Sequence, residues 1–511
     1  MATAGCADAP SPPAPAAQSA TGAPAVNLMG PDRLTKPTQL VAKASSKRAR
    51  VVAVTFLLDG RPLGSDTTAP HSLDVDPALL PAGSHRLEVE AVDSMGGRTR
   101  TKPATVTVAP SGSRIVEASP GRTFSQARKA LERGDVTVLL APGRYEVDEL
   151  QLGSGARLVG SGPRTVLHPR PGARYWALVV ARGRNIRISD LTIDGGGPLH
   201  GGSDDGIAVA VFDGSRDVRL QRLHITRVRT VGVNTWGAHA GVSVQDSRIE
   251  SRGTADAGVV ALGSDASRDT SVIRTRVRGF TSFGILLQQQ KYGRPAADLH
   301  GVVLDNLVSD IRDPRRDGCW TAAKSRTRGC GTNEGGIWTG GVEAAVIGNT
   351  VVRARWDGIE TVGSSTRTTI VENEIRNTRT GIYLEHSTND SVIAHNLIVD
   401  TEAGIQVEWR YDGVGSSRNT FVGNRIVDAR AAGLIVDTGG DRNRIVRNEF
   451  VGGARPAIAL YGSSENVVRD NVGCGGTGGV VVGMESARFD DGSTAHSRNN
   501  RVAGNRSVAS C

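Results

Sequence analysis

Aromatic side chains make up only 4% of this 511-residue chain, whereas glycine occurs 64 times. That balance argues against a helical protein and suits a tight, turn-rich all-β chain. No segment has the length and apolarity to span a membrane. Runs of five or six basic residues are also missing, and the formal charge of +9 is thinly spread. Residues 31–110 carry 11 Lys and Arg against 8 Asp and Glu, and residues from 111 onward carry 50 against 43. Nucleic acid is therefore not expected as a partner, and a mild preference for anionic glycans ranks above it. A chain of this length exceeds one ordinary core, so at least two domains are expected, although a solenoid grows simply by adding coils.

Cysteine is limited to five positions. Cys319 and Cys330 bracket one inserted loop, while Cys474 and the terminal Cys511 could tie the last coils to the chain end. Two disulfides formed in an oxidising compartment are the expectation. Cys6, preceded by Thr3-Ala4-Gly5 and followed by a Pro/Ala/Ser-rich stretch, resembles the end of a bacterial lipoprotein signal, which implies a lipid anchor and a tether over residues 1–30. No basic and apolar segments precede it, so an incidental cysteine is the competing reading.

What the sequence has in abundance is a repeat. A small residue followed by Ile, Leu or Val recurs at Gly206, Gly232, Gly258, Gly284, Gly336, Gly358, Gly381, Gly404, Gly433, Ala457 and Gly479. Strands this short cannot bury an apolar face alone, so the period calls for stacked coils with one shared core. Asn349, Asn373, Asn396, Asn424, Asn448 and Asn471 recur in step; they are expected at tight left-handed bends, bonding neighbouring coils through their amides.

Residues 31–110 read differently. Val51–Gly60 is a strand running into an Asp-Gly turn, and Gly83–Asp93 alternates clearly, so a small β-sandwich is expected. The wording around Phe56–Gly64 and Leu80–His85 resembles bacterial Ig-like domains, which implies a spacer or adhesive unit. Phe124–Gly134 has helical apolar spacing and a terminal glycine, the pattern of a short helix that plugs the open first coil. Together with the strands that follow, residues 111–511 resemble the right-handed parallel β-helix of the pectate-lyase-like superfamily.

Strand alternation places the residues two and four after each anchor on the outer wall. Late in the stack these are Trp338, Glu360, Tyr383, Glu385, Gln406, Glu408, Asp437 and Tyr461. Aromatic rings that stack on sugars, beside carboxylates that exchange protons, suit a glycoside hydrolase. Glu385, Glu408 and Asp437 are the candidate catalytic groups; Trp338, Glu360, Tyr383, His386, Gln406, Trp409, Arg410 and Tyr461 are candidate substrate contacts. An insertion of about 21 residues before Trp338 and the segment Trp409–Gly413 would wall a groove.

Two alternatives stand beside this one. In a polysaccharide lyase, Arg410, His386 or Tyr383 would act as base or neutraliser and Glu385, Glu408 and Asp437 would hold Ca²⁺, the only cofactor considered. In a non-catalytic adhesin the groove would only bind. Ser203-Asp204-Asp205 resembles the Asp-Asp motif of polygalacturonases, but the Asn-Thr-Asp, Gly-His-Gly and Arg-Ile-Lys pieces are absent. The alginate-epimerase Asp-Pro-His-Asp motif is absent too. The combined expectation is a monomeric bacterial protein, secreted or anchored at the cell surface, whose partner is an extracellular polysaccharide.

Overall fold

The computed structural model describes residues 23–509 except 37, 48, 68, 76, 78–79, 110–113, 198–204, 238, 254, 264–267, 290–299, 313–334, 408–414, 454–455, 476–481 and 489–493. From Arg114 onward the short strands stack coil on coil into three long parallel sheets of 15, 14 and 13 strands, here sheets I, II and III in the order each coil visits them. One apolar core runs through the stack, from Ala118 to Val468. The all-β solenoid read from the repeat is therefore what forms. The one α-helix among the described residues, Arg122–Arg133, buries Phe124, Ala127, Ala130 and Leu131 against the first coils.

The anchor glycines belong where neighbouring backbones nearly touch. From Gly232 to Gly433, a Cβ on each anchor would lie 2.4–2.8 Å from the carbonyl oxygen of the next anchor and would also strike a side chain of sheet II. These glycines point inward, as does the Ile, Leu or Val after them. Each coil thus places two successive residues in the core, which resets the alternation.

The Asn ladder forms, with one correction. From Asn306 to Asn471 each backbone N–H donates to the Oδ1 of the asparagine in the next coil, at 2.9–3.1 Å. The left-handed residue, however, is the one before: Asp305, Gly348, Glu372, His395, Gly423, Arg447 and Asp470 take positive φ. The bend turns at that residue, and the asparagine follows it with its amide facing its neighbours. A second ladder, Ser391, Asn419, Asn443, Asn466 and Asn500, does the same at another corner and escaped the sequence reading.

The N-terminal domain begins earlier than residue 31, because Ala25–Met29 pairs antiparallel with Thr38–Ser45. A three-stranded and a larger antiparallel sheet enclose a core that includes Leu40, Phe56, Leu87 and Val106. The domain is no free spacer. Val52, Ala53 and Val92 bury against Ile273, Val302, Leu304, Ala345 and Ile347 on the outside of sheet I. Arg50 pairs with Glu343 at 2.7 Å and Arg98 with Glu372 at 2.9 Å. Cys474 lies in a disulfide; Cys511, its expected partner, and Cys6, Cys319 and Cys330 lie outside the described residues.

Gly381→Ala tests the close approach, since its Cβ would sit 2.4 Å from the Gly404 oxygen and 2.5 Å from Ile398 Cγ2. A loss of about 1–3 kcal/mol in denaturant unfolding is expected. An unchanged midpoint would mean that the coils have slack at this contact.

Candidate functional site

Sheet III carries the expected outward column in unbroken register. Trp338 pairs with Glu360, Glu360 with Tyr383, Tyr383 with Gln406 and Gln406 with Ile435. Earlier in the stack the same column reads Asn234, Val260 and Leu286. Each rung is about 4.8 Å from the next.

Beside Glu360 stands a residue the sequence reading missed. Strict alternation places Asp357 on the same wall as core Ile359. Gly358 turns inward, though, and would bring a Cβ to 2.4 Å from Ile375 Cγ2, so the phase resets and Asp357 emerges on the outer face next to Glu360. The available signal was the string Asp357-Gly358-Ile359-Glu360, with an acid on either side of an anchor pair.

Asp357 and Glu360 are buried, at 8% and 2% exposure, and Glu385 closes the group. Burial pushes the Asp357 carboxyl up to about 6, against the opposing pull of its Thr380 hydrogen bond and the Arg379 charge. Burial, then the charges of Asp357 and Glu385, hold Glu360 well above the usual carboxylate range. Two buried acids this close retain a proton between them, and protonated Glu360 donates to Asp357. Glu360 is hydrogen-bonded to Glu385 as well, and Nε1 of Trp338, one rung away, is buried without a hydrogen-bond partner. Tyr383 lies across from Glu360 in the next coil, and burial together with these carboxylates raises its phenol strongly. His386 Nε2 is 3.5 Å from Glu385 Oε1, and His386 adopts a left-handed bend.

The remaining expected contacts divide. Gln406, Asp437 and Tyr461 line a separate depression of about 260 Å³ with Arg379 and Glu402. Asp437 is set back from the Glu360 group: its Oδ1 accepts from the Thr438 N–H at 2.9 Å and shapes its own turn. Trp338 is no open sugar platform, because it is 9% exposed and packs with Phe283, ring centroids 4.6 Å apart. Glu408, Trp409 and Arg410 lie outside the described residues, as do Ser203 and Asp204.

The early end of this wall is also richer than alternation implied. Trp176 and Trp236 stack with centroids 5.3 Å apart, Phe212 meets Trp176 edge-on, and Arg182 covers Phe212 at 4.2 Å. Among the described residues no group of three or more His, Cys, Asp and Glu is arranged to hold a metal ion.

Residues 298–456 match the family model described as periplasmic copper-binding protein (NosD), and residues 24–89 match the bacterial Ig domain. No curated protein matches the chain. Similar solved structures include the Yersinia enterocolitica family 28 exopolygalacturonase, at 14% identity and TM-score 0.43, covering 94% of this chain and 100% of that one. The A-module of an Azotobacter vinelandii mannuronan C-5 epimerase gives 14% identity and TM-score 0.45, covering 76% and 94%. Bacteriophage phi29 gene product 12 gives 14% and 0.44, covering 75% and 55%. The chain is thus a bacterial Ig domain packed against a long parallel β-solenoid, part of which matches the NosD model.

Proposed function

We propose that this protein is an exported polysaccharide-active enzyme whose outer sheet III wall cleaves a glycosidic bond by carboxylate acid/base chemistry. One observation carries the reading: three carboxylates, Asp357, Glu360 and Glu385, meet on this wall, and burial with the charges of the other two holds Glu360 well above the usual carboxylate range. Glu360 is then the acid that protonates the leaving oxygen. Glu385, with a side chain 20% exposed, is the carboxylate that activates water or attacks the anomeric carbon. Asp357 is a positioning residue that keeps the proton on Glu360 through charge and hydrogen bonding. Relative to the expected trio of Glu385, Glu408 and Asp437, Glu385 stays and Glu360 enters as the acid.

The match to a periplasmic family and the bacterial Ig domain support export. Among the described residues no helix is long and apolar enough to cross a membrane. A lipid anchor at Cys6 and a monomeric state belong to this proposal.

Glu360→Gln is the direct test, on a panel of neutral and uronate polysaccharides assayed for reducing ends. Turnover is expected to fall by about 10²–10⁴ with KM nearly unchanged. Full activity in Glu360→Gln would remove that residue from the chemistry. Binding without turnover by the wild type would leave a glycan-binding protein, and unsaturated uronate products would convert the reading to a lyase.

The shared proton also links folding to pH. The folded-state pKa of Asp357 and Glu360 lies above the unfolded values of about 3.9 and 4.3, so the native state binds more protons across that interval. Their contribution to stability is complete below pH about 4 and is lost as pH rises through about 6 and beyond. The melting temperature should therefore fall over this range, and the fall should flatten in the Asp357→Asn, Glu360→Gln double variant. An identical pH profile in that variant would show that the pair does not hold the extra proton.

A further inference from the structure

The outside of sheet II, a different wall from the carboxylates, carries a second chemistry. Arg248 and Arg276 stand in register on adjacent strands, with His224 one rung before them. Two open depressions, of about 530 and 570 Å³, adjoin each other at Arg248. Together they are lined by eight arginines and four carboxylates. The carboxylates are already engaged: Asp190 with Arg222, Asp246 with Arg274, Glu250 with Arg248 and Asp310 with Arg278. Among the described residues Arg252, Arg276 and Arg312 have no ion-pair partner.

Like charges directly opposed on neighbouring strands destabilise a sheet. Elsewhere on this same wall the stack avoids that cost by pairing Arg425 with Glu449 on the next strand. At Arg248 and Arg276 it does not. We infer that this arginine face binds an acidic polysaccharide, the carboxylates or sulfates of successive sugars lying across successive rungs. The rungs of this wall repeat at about 4.8 Å, which fits an extended chain better than a duplex that winds away. The lining residues include no Phe, Tyr or Trp ring on which a base would stack.

The test uses the full chain and the Arg248→Gln, Arg276→Gln double variant. Both are passed over immobilised heparin and titrated with polygalacturonate, neutral dextran and a short DNA duplex across a salt series. The wild type should bind heparin and polygalacturonate, ignore dextran, and weaken as salt rises. In the double variant the slope of log affinity against log salt should shrink by about 2, roughly one per arginine. Arg252→Gln, on a turn, should shrink the slope by about 1 if the double variant misfolds. Equal salt slopes in all three proteins, no polyanion binding by the wild type, or tighter binding to DNA than to polygalacturonate would each overturn the inference. Glu360→Gln should bind polygalacturonate on this face like the wild type, which separates failure here from failure of the catalytic reading.

Discussion

At the anchor glycines of sheet III, backbone packs directly on backbone. At every anchor from Gly232 to Gly433, the space a methyl group would need is occupied by the carbonyl of the next coil. This approach locks the register of sheet III, and with it the identity of every residue that stacks on the one a coil above. Leucine, isoleucine and valine fill the inside of such a stack interchangeably, since each is only one of many core contacts. The glycine position has no such latitude, because the obstacle is main chain.

Register locking turns sequence into columns, and columns concentrate electrostatics. Asp190, Arg222, Asp246 and Arg274 occupy successive bends with alternating sign, so each arginine bridges a carboxylate one coil away. Two places on the solenoid break this alternation in opposite senses. On sheet III, Asp357, Glu360 and Glu385 bring three carboxylates together, and burial makes Asp357 and Glu360 share a proton rather than repel. On sheet II, Arg248 and Arg276 stay charged and face solvent. The same lattice that spreads neutral pairs elsewhere here holds like charges at fixed distances, an arrangement a ligand can compensate and a folded core cannot.

The N-terminal domain determines which walls remain open. By burying Val52, Ala53 and Val92 on sheet I it covers the middle of that face and ties itself there with Arg50 and Arg98. Sheets II and III keep their outer surfaces for chemistry, one basic and one acidic.

The repeat, the core positions, the helix at residues 122–133 and the column through Trp338, Glu360, Tyr383 and Gln406 were all legible in the sequence, because a period fixes them locally. Three things were not. Asp357 joined Glu360 only because Gly358 also faces inward, a phase shift that alternation cannot register. Trp338 turned from a sugar platform into a buried neighbour of Phe283, a ring from the adjacent coil of sheet III. The left-handed bend fell one residue before each asparagine. The sequence by itself thus determined which residues share a column, since that follows from spacing along one chain. Only the tertiary structure decided which of them are covered, paired or left with an empty hydrogen bond, since burial and charge depend on neighbours contributed by other coils and by the N-terminal domain.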